Sequence, residues 1–291
     1  MSLTVEVALD AAATVGEGPV WDEQRQELLW VDIPEGLVHR CSVSGGAVTT
    51  QSIGQPVGAV GLRLSGGFVV AMRDGFGTTD GAGSDVTLRR EVEPDDATTR
   101  MNDGKCDAAG RFWAGTMELD MAPGRGSLYR LDPDFGVTRV LDGLGVPNGL
   151  AWTSDGRTMY FIDSLAGGID AYDFDPDEGR MGTRRRVVDV PPEAGLPDGM
   201  TIDAEGHLWV ACWGGGTIRR FAPDGSPGTI IRVPATQVTS CTFGGRGLDE
   251  LYVTSASDGL TAEQRRDEPH AGAVFCVRPG VTGLSPDRFA G

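Results

Sequence analysis

Lysine is almost absent from this 291-residue chain: nearly all of its 25 basic residues are arginine, and they face 42 acidic residues for a net charge of −17. Phosphate backbones require a basic footprint, so this balance excludes nucleic-acid binding, and it disfavours anionic membrane surfaces. Solubility is the ordinary consequence of such a charge. Histidine is scarce as well, with three residues. His39, His207 and His270 read as surface residues in a strand-like stretch, a turn and a charged loop. There is no Gly-x-Ser-x-Gly elbow, no P-loop and no Gly-rich strand-to-helix fingerprint, which leaves serine hydrolases, nucleotide hydrolases and dinucleotide enzymes without support. No window approaches the ~20 apolar residues of a membrane span, and the first residues lack the pattern of a signal peptide. The five cysteines (Cys41, Cys106, Cys212, Cys241, Cys276) are odd in number, widely spaced and without a Cys-x-x-Cys pair. They read as buried thiols in a reducing compartment, and the expected location is cytoplasmic. Long amphipathic helical windows are missing too.

What is present is turn chemistry interleaved with short strands: 44 Gly and 17 Pro in a chain that is 40% hydrophobic. One phrase recurs, a polar turn followed by alternating aromatic and β-branched residues. It stands at Trp21–Asp32, Leu64–Met72, Asp107–Met117, Thr153–Ser164, Asp203–Trp213 and Gly244–Ser255. The copies begin about 40 to 50 residues apart, the period of a propeller blade. Hairpin-like pairs follow, as at Ser127–Leu141, Gly168–Val190, Thr217–Val233 and Ala273–Phe289, with Asp, Pro and Gly at their reversals. The expectation is all-β: one six-bladed β-propeller domain over residues 1–291, four strands per blade around a central channel. Leu3–Leu9 alternates and is expected to supply the outer strand of the last blade, closing the ring. The recurring phrase is expected to start each innermost strand. The Arg184-Arg185-Arg186 run reads as a solvated strand edge or a turn between two strands of one blade.

Five segments just before these phrases carry the informative side chains: Gly16-Glu17-Gly18-Pro19, Arg100-Met101-Asn102-Asp103-Gly104, Pro147-Asn148-Gly149-Leu150, Pro197-Asp198-Gly199-Met200 and Thr239-Ser240-Cys241. In a propeller they emerge at one end of the channel. Asn-Gly and Asp-Gly singly are ordinary turn dipeptides. Their recurrence at blade period instead gathers the oxygens of Glu17, Asn102, Asn148 and Asp198 around one axis. Buried together, these groups need a neutralising partner, and an all-oxygen set suits Ca²⁺, Mg²⁺ or Mn²⁺.

The same strings, with Gly115-Thr116-Met117, Leu208-Trp209-Val210-Ala211 and Phe243-Gly244-Gly245, resemble the gluconolactonase/regucalcin (senescence marker protein) family over about residues 15 to 278. The resemblance implies a six-bladed lactonase with a single divalent metal, calcium favoured over magnesium, manganese, zinc or iron. It implies Glu17, Asn148 and Asp198 as the metal ligands and Asp198 as the catalytic base. Arg100 and Asn102 match residues that contact sugar hydroxyls. A further contact falls to Glu118 or Asp120, with Asp120 favoured by its offset from Arg100, in a loop that departs from the regucalcin pattern. The expected reaction is metal-dependent hydrolysis of a sugar lactone, such as glucono- or xylonolactone, by a monomer. Two other readings keep the fold: an organophosphate or aryl-ester hydrolase, and a calcium-binding propeller without turnover.

Overall fold

The computed structural model describes residues 3–43, 45–81, 83 and 85–291. Its strands form six antiparallel four-stranded sheets, the blades of a propeller. The innermost strands are Gly16–Asp22, Val57–Leu62, Thr99–Cys106, Pro147–Trp152, Leu196–Ile202 and Val238–Gly244, and they pack side by side in a ring. Covered on both faces, the inner strands of blades two and four are buried at every position, whereas the outer strand of blade two, Thr87–Glu91, is exposed throughout. Hydrophobic clusters lie between neighbouring blades. Trp209 of blade five, for example, packs with Phe243 and Val253 of blade six, so each blade buries its faces against the next.

The recurring phrase has a physical cause in the first hairpin turn. In blade three the Asp107 carboxylate accepts from the amides of Ala109 (3.1 Å) and Arg111 (3.0 Å) and from Trp113 Nε1 (2.8 Å). In blade five Asp203 accepts from Glu205 N (3.0 Å), His207 N (2.9 Å) and Trp209 Nε1 (2.9 Å). One buried carboxylate thus closes the turn and fixes the tryptophan of the next strand.

Two expectations need correction. The phrase forms this turn and the second strand of each blade; the segments before it are the innermost strands themselves. Also, Ala273–Phe289 contributes only one strand, Val274–Val277, and the fourth strand of blade six is Glu6–Leu9, paired antiparallel to it. The closing strand from the N-terminal end is as expected. Val7 lies opposite Phe275 in that pairing. Proline is poorly accommodated in a paired strand, so Val7→Pro is expected to lower Tm by several degrees; an unchanged melting curve would argue against a stabilising closure.

Residues 282–291 instead cross the floor of the channel. Ala204 N donates to Thr282 O (2.8 Å) and Gly283 N to Leu248 O (2.8 Å). Arg288 bonds Asp22 (2.8 Å), Phe289 is fully buried, and Ala290 N reaches Gly110 O (3.0 Å). A cavity of about 260 Å³ lies at this end, lined by Lys105, Thr201, Thr242, Leu284 and Asp287. Arg184, Arg185 and Arg186 lie on the outer strand of blade four and pair with Asp170 and Asp173 across it. All five cysteines are free thiols, four of them buried. Among the described residues no helix is long and apolar enough to cross a membrane.

Candidate active site

Every innermost strand is irregular at the same place. Its register slips between Glu17 and Val20, Val57 and Ala59, Met101 and Gly104, Pro147 and Leu150, Pro197 and Met200, and Val238 and Ser240. A bulge re-aims a side chain that regular pleating would send elsewhere, and these bulges hold Glu17, Asn102, Asn148 and Asp198. Blade two presents Gly58 at this position and offers no side chain. In blade one the bulge uses Gly18 at φ +53°, a left-handed conformation that glycine adopts freely.

Gly149 and Gly199 answer a different need, since neither has a positive φ. A Cβ on Gly149 would lie 2.8 Å from Asp198 O, and one on Gly199 would collide with Ser240. The glycines after Asn148 and Asp198 let the next blade approach the axis, a role apart from that of a turn dipeptide.

Neighbouring blades hold the site residues by the backbone just before them. Thr239 Oγ1 donates to Gly16 O (2.6 Å), preceding Glu17. Asn102 Nδ2 donates to Pro147 O (2.9 Å), preceding Asn148. Ser164 Oγ donates to Pro197 O (2.6 Å), preceding Asp198. The incoming chain is anchored as well. Asp32 accepts from Thr14 N (2.9 Å) and Val15 N (3.0 Å), and Asp163 from Gly145 N and Val146 N, both 2.9 Å.

Between the blades, Arg100 Nη1 donates to Asn102 Oδ1 (2.8 Å) and Asn102 Nδ2 to Asn148 Oδ1 (3.1 Å). Glu17, Asn102, Asp103, Asn148 and Asp198 are all buried. Burial, followed by repulsion from Asp198 and Asp103, holds the Glu17 carboxyl well above the usual carboxylate range. Burial and then Asp103 do the same to Asp198. Asp103 is itself raised by burial, with Lys105 and the Gly104 amide opposing. Burial lowers Arg100 to about 10 against the pull of Glu17 and Asp198. Glu17, Asp103 and Asp198 therefore crowd a poorly solvated space in which Arg100 and Lys105 oppose them. This is a donor set that a hard divalent cation fits: carboxylate and amide oxygens, with charge still to be neutralised.

Sequence reasoning quoted Asp103 inside its motif without giving it a role, and it missed Ser164, which is buried at the end of the recurring phrase of blade four. Of the two blade-three candidates, Glu118 pairs across the hairpin with Thr99, the neighbour of Arg100. Glu118 faces Arg125 (3.7 Å), and Asp120 is exposed in the turn that follows. Asp203, Glu205 and His207 also bring ligand atoms within 4.8 Å of one another. There, however, Arg220 already bonds both Asp203 (2.6 Å) and Glu205 (2.5 Å), so that carboxylate pair has its counter-ion within the turn.

A propeller with oxygen-bearing bulges around one mouth defines a class, and residues 15–257 match the family described as the SMP-30/Gluconolactonase/LRE-like region. The chain belongs to that family. Regucalcin of Xenopus laevis is 40% identical, with 100% of this chain and 99% of that protein covered. Among solved structures, a calcium-binding protein, regucalcin, from Agrobacterium tumefaciens aligns with a TM-score of 0.95 at 29% identity, covering 99% of this chain and 98% of that one. A luciferin-regenerating enzyme aligns with a TM-score of 0.91 at 34% identity, covering 99% and 100%.

Proposed function

We propose that this protein is a hydrolase of sugar lactones, dependent on one divalent cation held by Glu17, Asn148 and Asp198, with calcium the favoured ion. The observation that carries this reading is the convergence of Glu17 and Asp198, buried and mutually repelling, with Asn102, Asn148 and Arg100 beside them. The family, whose description includes gluconolactonase, supports ester hydrolysis there. When bound, the cation would polarise the lactone carbonyl as a Lewis acid.

The rest falls to the chain itself. Asp198 takes a proton from water as the water oxygen attacks the carbonyl carbon. The ring C–O bond then breaks, and the departing oxygen takes the proton held by Asp198 to give the open hydroxy acid. Arg100 donates to substrate hydroxyls. Asn102 has both amide hydrogens engaged, on Pro147 O and Asn148 Oδ1, so it meets a hydroxyl only as an acceptor, through Oδ1. Together they orient a polyol, which converts binding into alignment of the carbonyl.

The deciding experiment measures acid release from gluconolactone, xylonolactone, an unsubstituted lactone and a phosphotriester, with chelator and after calcium is restored. Turnover of the hydroxylated lactones that stops on chelation and returns with calcium is expected. Preferential phosphotriester cleavage, or calcium binding without any turnover, would replace this reading. Arg100→Ala should remove a hydrogen bond from a charged group, worth about 1.5–3 kcal/mol. That corresponds to a loss of about tenfold to a hundredfold in kcat/KM on the polyol lactones, beyond whatever loss the unsubstituted lactone shows when Arg100 no longer holds Asn102. An equal loss on both substrates would contradict a role in holding hydroxyls.

A further inference from the structure

Ser164 lies where blades four and five meet. It opens a short 3₁₀ turn, Ser164–Ala166, in which Asp163 caps the Leu165 amide, and its side chain is buried. Its hydroxyl has one proton, and that proton is committed to Pro197 O at 2.6 Å, an atom that can only accept. Toward Asn148 Nδ2, 2.9 Å away, Ser164 Oγ must therefore act as acceptor. The other side of the amide is constrained in the same way. Arg100, which can only donate, fixes Asn102 with its oxygen toward the guanidinium. That leaves the Asn102 NH₂ facing Pro147 O and Asn148 Oδ1. Polarity runs without ambiguity from Arg100 through Asn102 to Asn148, and from Pro197 through Ser164 to the same amide.

We propose that Ser164 is a positioning residue that captures the NH₂ of Asn148 and so presents the amide oxygen to the cation. The inference rests on reading Glu17, Asn148 and Asp198 as cation ligands. Without an acceptor at Ser164, the buried NH₂ of Asn148 loses its partner, and only Asn102 Nδ2 still holds the amide oxygen in place. A turned amide places N–H donors where the cation needs an oxygen. The partners that orient a ligating side chain commonly govern affinity in this way.

Calcium titration by calorimetry of metal-stripped wild type, Ser164→Ala, Asn148→Asp and the double variant tests this, with circular dichroism to verify folding. Ser164→Ala is expected to weaken calcium binding by about tenfold to a hundredfold. A carboxylate presents oxygen whichever way it turns, so on the Asn148→Asp background the same change should matter by no more than about twofold. Should Ser164→Ala not fold, Ser164→Cys, whose sulfur is a much weaker acceptor, is read in the same way. Wild-type affinity in the Ser164 variant, or an equal loss on both backgrounds, overturns the orientation role. A wild type that binds no calcium instead overturns the cation-site reading on which it rests.

Discussion

Asp198→Asn is expected to lower kcat for lactone hydrolysis by about 10²–10⁴-fold, the range typical of a lost general base. The substitution is nearly isosteric and keeps an oxygen for the cation. What it removes is a group able to take the proton from water. The loss should therefore appear in kcat, while KM for a hydroxylated lactone, for which Arg100 and Asn102 are the proposed contacts, should change much less. Calcium titration of the same variant separates the two roles assigned to Asp198: weaker binding reports its part as ligand, and the kcat measured at saturating calcium reports its part as base. Retention of more than about a tenth of wild-type kcat under saturation is far outside the loss expected of a general base, and would move that function to another group.

The second large effect is on stability. In the metal-stripped protein, Glu17, Asp103 and Asp198 are pushed above their ordinary values, first by burial and then, for Glu17 and Asp198, by neighbouring carboxylates. Asp287 at the channel floor is also pushed up, to about 6, by burial and then Asp107. A folded chain with raised carboxyl pKa values holds more protons than the unfolded chain. Stability contributed by these groups is then greatest at low pH and falls as pH rises from the ordinary carboxylate range through the raised values. Metal-stripped protein should consequently melt at a lower temperature at pH 8 than at pH 5.5. Calcium selects the ionised carboxylates, so its stabilising effect should grow over the same interval. At a hundredfold excess over Kd the expected gain is about 2.7 kcal/mol, or several degrees at about 2–4 °C per kcal/mol. Scanning calorimetry with and without calcium at both pH values is the check. Equal calcium shifts at the two pH values, or a metal-stripped form that is more stable at pH 8, would be incompatible with the carboxylate cluster.

The architecture was readable because blade-forming side chains recur where the physics repeats. Asp107 and Asp203 close equivalent turns, and Trp113 and Trp209 bond to them, so the phrase around them marks each unit. The site residues were visible for the same reason, standing at one position of successive units. Their placement on the strands was not. Strand pairing is continuous in a pattern of residues, whereas a bulge is a slip in register, and nothing in Gly-Glu-Gly-Pro or Pro-Asn-Gly-Leu states which partner each residue faces. Glycine is ambiguous in a related way, since it serves both positive φ and close backbone approach. Gly149 and Gly199 look like turn formers, but their lack of a side chain answers to atoms of the next blade, Asp198 O and Ser240. Ser164 was hidden more deeply. A serine at the end of a strand is unremarkable until folding brings it against Asn148 and Pro197.

The ring is sealed between its first and last blades, where Glu6–Leu9 pairs with Val274–Val277 and Thr239 reaches Gly16. Glu17 stands on one side of this seam, while Asn148 and Asp198 belong to blades four and five. An ion gripping all three would staple distant parts of the polypeptide and resist the parting of the blades. Traction on the N-terminal strand would therefore peel the seam and dismantle the ion's cage in a single event, making the bound ion a gauge of whether the circle is intact.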